Sequence, residues 1–316
     1  MSSLEKVISG SKKALLLGIG GGGDIVGTVP TAGLLRAFGV GYVMGGLSWE
    51  RSTIDPVPGP RTFEETRGGR RLNDTVWFAT ADTVTSTGVR FAESGVAEFY
   101  GRDTLLVDVN RGVEGVVDGL LHAAEELRAD LIIGIDVGGD AVAFGSEKGL
   151  MSPLADSIMT ASLAKIGREM PVIMGVFGFG SDGELTLTEL ESSFRVIANE
   201  GGLMGAWGIT EEVLREMEGI TKTVPTEASR LPVDYIKGAV ERATIRGGRC
   251  SVVLSAAMTV TFYISPTVVF EKVSTMARAL ADCKSLVDAN DILHGLGIRT
   301  ELDLEYDKLK RLGSGR

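Results

Sequence analysis

Short apolar runs that alternate with helical segments constrain the fold of this chain more strongly than any other feature. The runs cover residues 14–19, 104–109, 131–136 and 171–176, and they read ALLLGI, TLLVDV, LIIGID and PVIMGV. Strands with one exposed face alternate apolar and polar residues, whereas strands buried on both faces are apolar throughout. The sequence therefore predicts an α/β fold: an open, Rossmann-like, mostly parallel sheet with helices on both faces, in three layers.

Residues 48–72 form a long stretch without this alternation. It contains Pro56, Pro58 and Pro60 within DPVPGPR, followed by the glycine pair Gly68 and Gly69, which is turn chemistry. No linker divides the chain, and 316 residues can bury one large core. We expect a single α/β domain over residues 1–316, with this Pro/Gly-rich loop and a C-terminal helical extension over about residues 274–316.

Soft metal ligands are scarce. The chain has two histidines, His122 and His294, and two cysteines, Cys250 and Cys283, which form no CxxC pair. A zinc site of the Cys/His type and a disulfide framework are therefore not expected. Any chemistry must rest on carboxylates, hydroxyls, basic side chains, backbone N–H groups and hard metal ions.

The charge balance and hydropathy restrict the partners. The net charge is −10, so a nucleic-acid backbone would be repelled. No apolar run reaches the roughly 18 residues of a membrane span, and Met1–Lys13 does not resemble a signal peptide. We expect a cytoplasmic protein that binds neither nucleic acid nor membranes; the sequence leaves homo-oligomerisation open.

The first candidate site is the loop in LLLGIGGGGDIVG. Gly18, Gly20 and Gly23 satisfy GxGxxG between a predicted strand and a predicted helix running to about Phe38, a context that favours a phosphate contact. A tight turn alone would also explain the glycines. Asp24 follows directly and would repel a phosphate, unless it caps the helix or a cation lies between them. The expected phosphate-binding residues of this loop are Gly20, Gly21, Gly22 and Gly23.

Two more acidic, glycine-rich loops follow predicted strands. Asp136 and Asp140 lie in GIDVGGD, and Asp182 and Glu184 flank Gly183 in GSDGEL. Each can form an ordinary turn, but in a parallel sheet all these loops would meet at the carboxyl edge, where α/β folds bind ligands. We expect one or two Mg²⁺ or Mn²⁺ ions, because hard cations prefer several oxygen ligands. The expected metal ligands are Asp24, Asp136, Asp140 and Asp182.

Two further segments supply supporting residues. In LSWERSTIDPVPGPR, Glu50 is a further candidate ligand, while Arg51 and Arg61 are candidate phosphate partners, because a guanidinium binds oxyanions through two donors. Trp49 is interpreted as a packing anchor. Asp156 follows Pro153 in a predicted helix that Ser152 caps, and a solvated helix surface is its default interpretation.

Taken together, GIGGGGDIVGT, LSWER with PGPR, GIDVGGDAV, EKGLMSPLAD and GSDGEL resemble an uncharacterised, mainly archaeal family known as domain of unknown function 1152. The resemblance covers most of the chain through Glu184 and continues more loosely beyond it. The family name implies no established activity, so a function has to come from the residues themselves.

These residues predict a metal-dependent phosphohydrolase that acts on a small phosphorylated metabolite or nucleotide. Asp140 or Glu184 would orient the attacking water as the general base. A phosphotransferase and a non-catalytic nucleotide or dinucleotide sensor are the alternatives. Hydride transfer is less favoured, because the acidic residue that binds a ribose about 20 residues after the glycines is missing and Glu50 comes late.

Overall fold

The computed structural model describes residues 3–314, apart from positions 240 and 249, and side chains only up to residue 311. The last two residues of the expected C-terminal extension lie outside these described residues. None of the described helices is both long enough and apolar enough to cross a membrane.

A nine-stranded sheet forms the centre of the described chain. Its spatial order is β8-β9-β7-β6-β1-β2-β5-β4-β3. The strands in chain order are β1 Lys13–Gly18, β2 Gly41–Leu47, β3 Arg70–Arg71, β4 Val76–Ala79, β5 Thr104–Val107, β6 Leu131–Val137, β7 Val172–Phe177, β8 Leu203–Gly208 and β9 Val260–Ile264. Two short antiparallel ribbons stand apart from it: Thr66–Arg67 with Val84–Thr85, and Arg242–Ile245 with Cys250–Val253.

The middle of the sheet is parallel. β1 pairs with β2 and with β6, β2 pairs with β5, and β6 pairs with β7, all in parallel. At both edges the pairing becomes antiparallel, through β4 on one side and β9 on the other. Counted along the chain, the parallel strands lie in the order third, second, first, fourth, fifth. This is the Rossmann order, whose ligand crevice opens between β1 and β6, where the winding reverses.

Helices cover both faces of the sheet, which confirms the predicted three layers. Leu15 and Leu17 of β1 belong to one apolar core with α5, α6 and α12, whereas Leu16 belongs to the opposite core with α3 and α8. The helices are α1 Leu4–Ser9, α2 Asp24–Gly27, α3 Val29–Ala37, α4 Ala92–Tyr100, α5 Gly112–Glu126, α6 Pro153–Ile166, α7 Leu187–Asn199, α8 Glu211–Ile220, α9 Leu231–Ile236, α10 Pro266–Val268, α11 Thr275–Ala279, α12 Leu286–Gly295 and α13 Glu301–Ser314.

The helix after the glycine-rich loop differs from the prediction. One helix was expected to run to about Phe38, but α2 ends at Gly27 and α3 begins at Val29. Pro30 lies at the start of α3 and has no N–H with which to continue the hydrogen-bond ladder of α2. Because α2 has four residues, its dipole contributes little to anion binding at the glycine-rich loop.

The C-terminal third is part of the central structure rather than an appendage. β9 lies between β7 and β8 in the sheet, and Leu302 of α13 is buried in the same core as α5 and α6. α13 also clamps the Pro/Gly-rich loop, because Glu305 accepts hydrogen bonds from Trp49 Nε1 at 3.1 Å and from the Gly59 amide at 2.8 Å. Trp49 itself is buried, in agreement with its interpretation as a packing anchor.

Candidate metal and phosphate site

Six buried carboxylates lie around the carboxyl ends of β1, β6 and β7. Each is at most 8% exposed. We call this set the acidic site; it consists of Asp24, Asp136, Asp140, Asp156, Asp182 and Glu184. The Rossmann order explains why these carboxylates lie together. Loops that are far apart in the chain follow adjacent parallel strands and therefore lie at the same edge of the sheet.

Two groups within the acidic site have the spacing of ligands around one cation. In the first group, oxygens of Asp136, Asp140 and Asp156 all lie within 4.8 Å of one another. In the second group, the same holds for Asp140, Asp182 and Glu184. Opposite ligands of an octahedral Mg²⁺ ion are roughly 4 Å apart, since each Mg–O bond is about 2.1 Å. Asp140 belongs to both groups, so it is the residue that two ions would share.

Several carboxylate oxygens of the acidic site have no hydrogen-bond partner among the described residues. These are Asp136 Oδ1, both oxygens of Asp156 and both oxygens of Asp182. A buried carboxylate without a partner costs several kcal/mol unless it is protonated or coordinates a cation. The first group therefore fits a hard metal ion by its chemistry as well as by its spacing.

The pKa values reflect the same crowding. Burial, and to a smaller extent the charge of Glu184, raise the pKa of Asp182 to about 7. Burial and then neighbouring carboxylates hold the pKa values of Asp136, Asp140 and Asp156 well above the ordinary value. A cation among these groups would favour their charged forms and lower the pKa values again.

Asp24 lies beside the two groups and is a member of neither among the described residues. The Gly20 amide donates a hydrogen bond to Asp24 Oδ2 at 2.9 Å. Burial raises the pKa of Asp24 to about 6, against the opposing effect of Arg51. A Cβ on Gly20 would lie 2.6 Å from Asp24 Oδ2 and 3.1 Å from Asp156 Oδ2. Glycine is thus required here because two carboxylates lie close to the position that a Cβ would occupy.

The rest of the glycine-rich loop keeps two amides unused. Gly21 and Gly22 adopt positive φ angles of 79° and 55°, and the Gly22 amide donates to the Trp49 carbonyl at 2.8 Å. The amides of Gly21 and Gly23 donate to no other described residue. They remain available to an anion, although the helix that follows is too short to add a strong dipole.

Arg51 brings a positive charge into the acidic site. Its side chain packs along Gly22, where a Cβ would lie 2.8 Å from Arg51 Cγ. Although burial opposes its charge, nearby Asp24, Glu184 and Asp140 raise its pKa. Its guanidinium forms no hydrogen bond or close ion pair with another described residue. A guanidinium that faces the site and has no fixed partner among the described residues is suited to bind an anionic ligand.

Arg61 does not take the expected position. Its guanidinium pairs with Asp55 at 3.0 Å and donates to the carbonyls of Pro58 and Gly59 at 3.1 and 2.7 Å, and to that of Val57. It therefore closes its own loop, and the side chain is buried there. This geometry does not fit a phosphate contact, so we leave Arg61 out of the site.

Glu184 is also held differently from the expected general base. It accepts hydrogen bonds from the amides of Met151 and Ser152 at 2.6 and 2.9 Å and from the Ser152 hydroxyl, and it pairs with Arg246 at 2.5 Å. Although burial opposes ionisation, Arg246 and these donors keep its pKa below the ordinary value. A carboxylate so stabilised is a weak base.

The expected cap of α6 is replaced by a distant residue. Ser152 occupies the N-cap position, but its hydroxyl donates to Glu184 and lies 3.2 Å from Asp140 Oδ2. Glu301 of α13 instead accepts the amides of Leu154 and Ala155 at 3.0 and 2.8 Å. The first turn of α6 is thereby fixed, and Asp156 with it.

Glu50, the further candidate ligand, caps α4 instead. It accepts the Ala92 amide at 2.6 Å, and burial raises its pKa to about 7. Glu93 lies in the same region with both oxygens lacking a partner among the described residues, and burial and then Glu50 raise its pKa well above the ordinary value. These two glutamates belong to neither acidic group.

Two residues of the site escaped the sequence interpretation or were undervalued by it. Arg246 reaches Glu184 across 62 positions of the chain, and no local pattern marks such a contact. Asp156 did leave a signal: the eight residues that follow it, SIMTASLA, contain no charge. A helical stretch with no charged side chain on any face favours burial, which argues against a solvated surface for Asp156.

The fold and the site together define an α/β protein of Rossmann strand order with a buried carboxylate site at its switch point. A family model matches residues 15–309, and the chain belongs to that family, described as "Protein of unknown function (DUF1152)". This confirms the resemblance seen in the sequence motifs. A search of curated proteins gives no match, and neither does a search of solved structures.

Proposed function

We propose that this protein is a phosphoric ester hydrolase that uses one or two Mg²⁺ or Mn²⁺ ions and acts on a small phosphorylated metabolite or nucleotide. The observation that carries the proposal is the pair of acidic groups that share Asp140, in which five buried carboxylate oxygens lack a partner among the described residues. Such groups match the arrangement in which two ions hold the attacking and leaving oxygens of a phosphoryl group.

The charge balance supports cation binding. The acidic site holds six carboxylates, and two guanidiniums, those of Arg51 and Arg246, face it. The excess of negative charge in a buried volume requires protons or metal ions. Because every candidate ligand in the two groups is a carboxylate oxygen, Mg²⁺ or Mn²⁺ fits better than Zn²⁺.

The residues divide into holding and reacting roles. Asp136, Asp140 and Asp156 would hold one ion, and Asp140, Asp182 and Glu184 the second. A bound ion of this kind polarises the phosphoryl group and lowers the pKa of a water ligand. Asp24 is the best placed proton acceptor, because it lies outside both groups, is oriented by the Gly20 amide, and has a pKa of about 6.

Phosphate would be bound by a guanidinium and by backbone amides. Arg51 faces the acidic site without a fixed partner, and the amides of Gly21 and Gly23 are unused beside it. Such preorganised donors stabilise the charge that develops on the phosphoryl oxygens in the transition state. Of the four glycine amides expected to bind phosphate, only those of Gly21 and Gly23 would therefore do so.

A non-catalytic nucleotide sensor is the second candidate. The Rossmann strand order with a glycine-rich loop at the switch point favours it. Against it, Asp24 and Asp156 approach Gly20 so closely that a phosphate at Gly20 would meet two carboxylates. A metal ion between them removes this conflict.

Hydrolysis of p-nitrophenyl phosphate tests the proposal. We expect slow turnover with Mg²⁺ or Mn²⁺ and none with EDTA. Asp140→Asn should lower kcat by about 100-fold or more and weaken metal binding, whereas Asp24→Asn should lower kcat and spare metal binding. Asp118→Asn, an exposed change on α5, is the control. If no metal ion supports turnover on a panel of phosphate esters and a nucleotide binds tightly, the sensor replaces the hydrolase.

A further inference from the structure

Arg246 enters the acidic site from a different element than Arg51. It follows the strand Arg242–Ile245 of the second ribbon, and its backbone adopts a positive φ of 54°, which is unfavourable for a side chain other than glycine. The Arg246 amide donates to Glu227 Oε2 at 2.8 Å. The ribbon turn is therefore anchored in a conformation that directs this side chain inward.

The Arg246 guanidinium lies over the second acidic group. It pairs with Glu184 at 2.5 Å, and the Glu184 side chain is fully buried while that of Arg246 is 21% exposed. Burial opposes the charge of Arg246, Glu184 favours it, and the nearby Arg51 opposes it again. Both guanidiniums also act on Asp24. Two like charges thus converge on one small region from the loop after β2 and from the ribbon.

The carboxylates of the acidic site balance the two guanidiniums while no metal ion is bound. Once metal ions neutralise those carboxylates, the two like charges would repel each other unless another anion binds between them. A phosphate monoester carries up to two negative charges and three terminal oxygens, which is enough for two arginine forks together with a metal ion. A phosphate diester has one charge and two free oxygens. The arrangement therefore matches a terminal phosphate better than an internal one.

We propose that Arg246 is a second phosphate-binding residue of this site, which exchanges its ion pair with Glu184 for the terminal phosphate of a monoester and so frees Glu184 to bind the metal ion. The inference rests on the proposed function and adds its substrate class. Phosphate and metal binding would then be cooperative. Phosphate draws Arg246 away from Glu184, and the metal ion draws Glu184 away from Arg246.

Calorimetry of the full chain with inorganic phosphate and with Mg²⁺ tests this exchange. For Arg246→Ala we expect phosphate to bind about 10- to 100-fold more weakly, the effect of losing a charged hydrogen-bond partner. We expect Mg²⁺ alone to bind more tightly, because Glu184 loses its competitor. In the wild type, phosphate should tighten Mg²⁺ binding about fivefold or more, and the variant should lose this coupling.

Opposite changes in the two affinities separate this role from a structural one. Weaker binding of both ligands with a lower melting temperature would assign Arg246 to the fold alone, and unchanged phosphate affinity would remove it from the site. Arg246→Lys keeps the charge without the fork and should weaken phosphate binding about tenfold, which keeps the test decisive if the alanine variant does not fold. Arg242→Ala is the matched control, since Arg242 is exposed on the same ribbon and, among the described residues, its side chain donates only to Ser251 Oγ at 3.4 Å.

Activity assays distinguish the role of Arg246 from the proposed hydrolase activity. Arg246→Ala should lower kcat/KM for p-nitrophenyl phosphate more than for bis(p-nitrophenyl) phosphate. Equal losses on the two esters would contradict the monoester preference. If the wild type hydrolyses neither ester yet shows the coupled binding of phosphate and Mg²⁺, the hydrolase fails and the role of Arg246 stands.

Discussion

Replacing Asp182 by asparagine should stabilise the metal-free protein at neutral pH and remove its stabilisation by metal ions. Asp182 is 4% exposed, and neither of its carboxylate oxygens has a partner among the described residues. Ionisation of this group therefore opposes folding when no cation is bound. Asparagine keeps the size of the side chain and removes the charge.

The magnitude follows from the pKa of Asp182. Burial raises it from 3.8 to about 7, which corresponds to about 4 kcal/mol of destabilisation above pH 7. Because the folded pKa lies above the unfolded one, this cost is absent below about pH 4, grows from pH 4 to 7, and is constant above that range. The unsatisfied amide of asparagine offsets about 1–3 kcal/mol. We expect a net gain of about 1–3 kcal/mol at pH 8, and less at pH 5.

Thermal unfolding with EDTA and with excess Mn²⁺ measures both effects. A gain of this size should raise the melting temperature of the metal-free variant by about 2–4 °C at pH 8. Mn²⁺ at about 100 times its dissociation constant should stabilise the wild type by about 2.7 kcal/mol and the variant much less. Asp118→Asn should change neither value. A variant that is less stable without metal, or equally stabilised by Mn²⁺, would refute the placement of Asp182 among the metal ligands.

Two further substitutions test phosphate binding by Arg51 and the packing of the glycine-rich loop. Arg51→Ala should raise the KM for a phosphate ester about 10- to 100-fold without weakening Mg²⁺ binding; a parallel loss of metal affinity in calorimetry would contradict its role as a phosphate partner. Gly20→Ala places a Cβ 2.6 Å from Asp24 Oδ2 and 3.1 Å from Asp156 Oδ2. It should lower the unfolding free energy by about 1–3 kcal/mol, and it should weaken Mn²⁺ binding because it displaces Asp156 from the first acidic group. Gly295→Ala, whose Cβ would meet no atom within 4 Å, is the control, and equal Mn²⁺ affinity in both glycine variants would count against this placement of the loop.

The sequence was informative wherever the signal is local. Uninterrupted apolar runs such as LIIGID indicated buried parallel strands, and the acidic loops behind them indicated the edge where ligands bind. The strand order itself comes from long-range pairing, but once the sheet is parallel, loops after β1, β6 and β7 have to share an edge. This is why Asp136, Asp140 and Asp182 could be grouped before the structure was considered.

Competing contacts, local for Arg61 and distant for Ser152, explain two of the differences from the sequence predictions. Arginine often binds phosphate, but the guanidinium of Arg61 is already occupied by Asp55 and three carbonyls of its own loop. Ser152 has the spacing of a helix cap, yet Glu184 competes for its hydroxyl and Glu301 takes over the cap. Glu184 and Glu301 both lie far from Ser152 in the chain, so local sequence patterns could not show that they replace the expected cap.

Anomalous diffraction from crystals grown with Mn²⁺ and inorganic phosphate tests the metal site most directly. We expect an anomalous peak within about 2.0–2.3 Å of oxygens from Asp136, Asp140 and Asp156, with phosphate density against Arg51. A second peak between Asp140, Asp182 and Glu184 would establish two ions. Mn²⁺ absent from both acidic groups at a saturating concentration would contradict the metal-dependent mechanism.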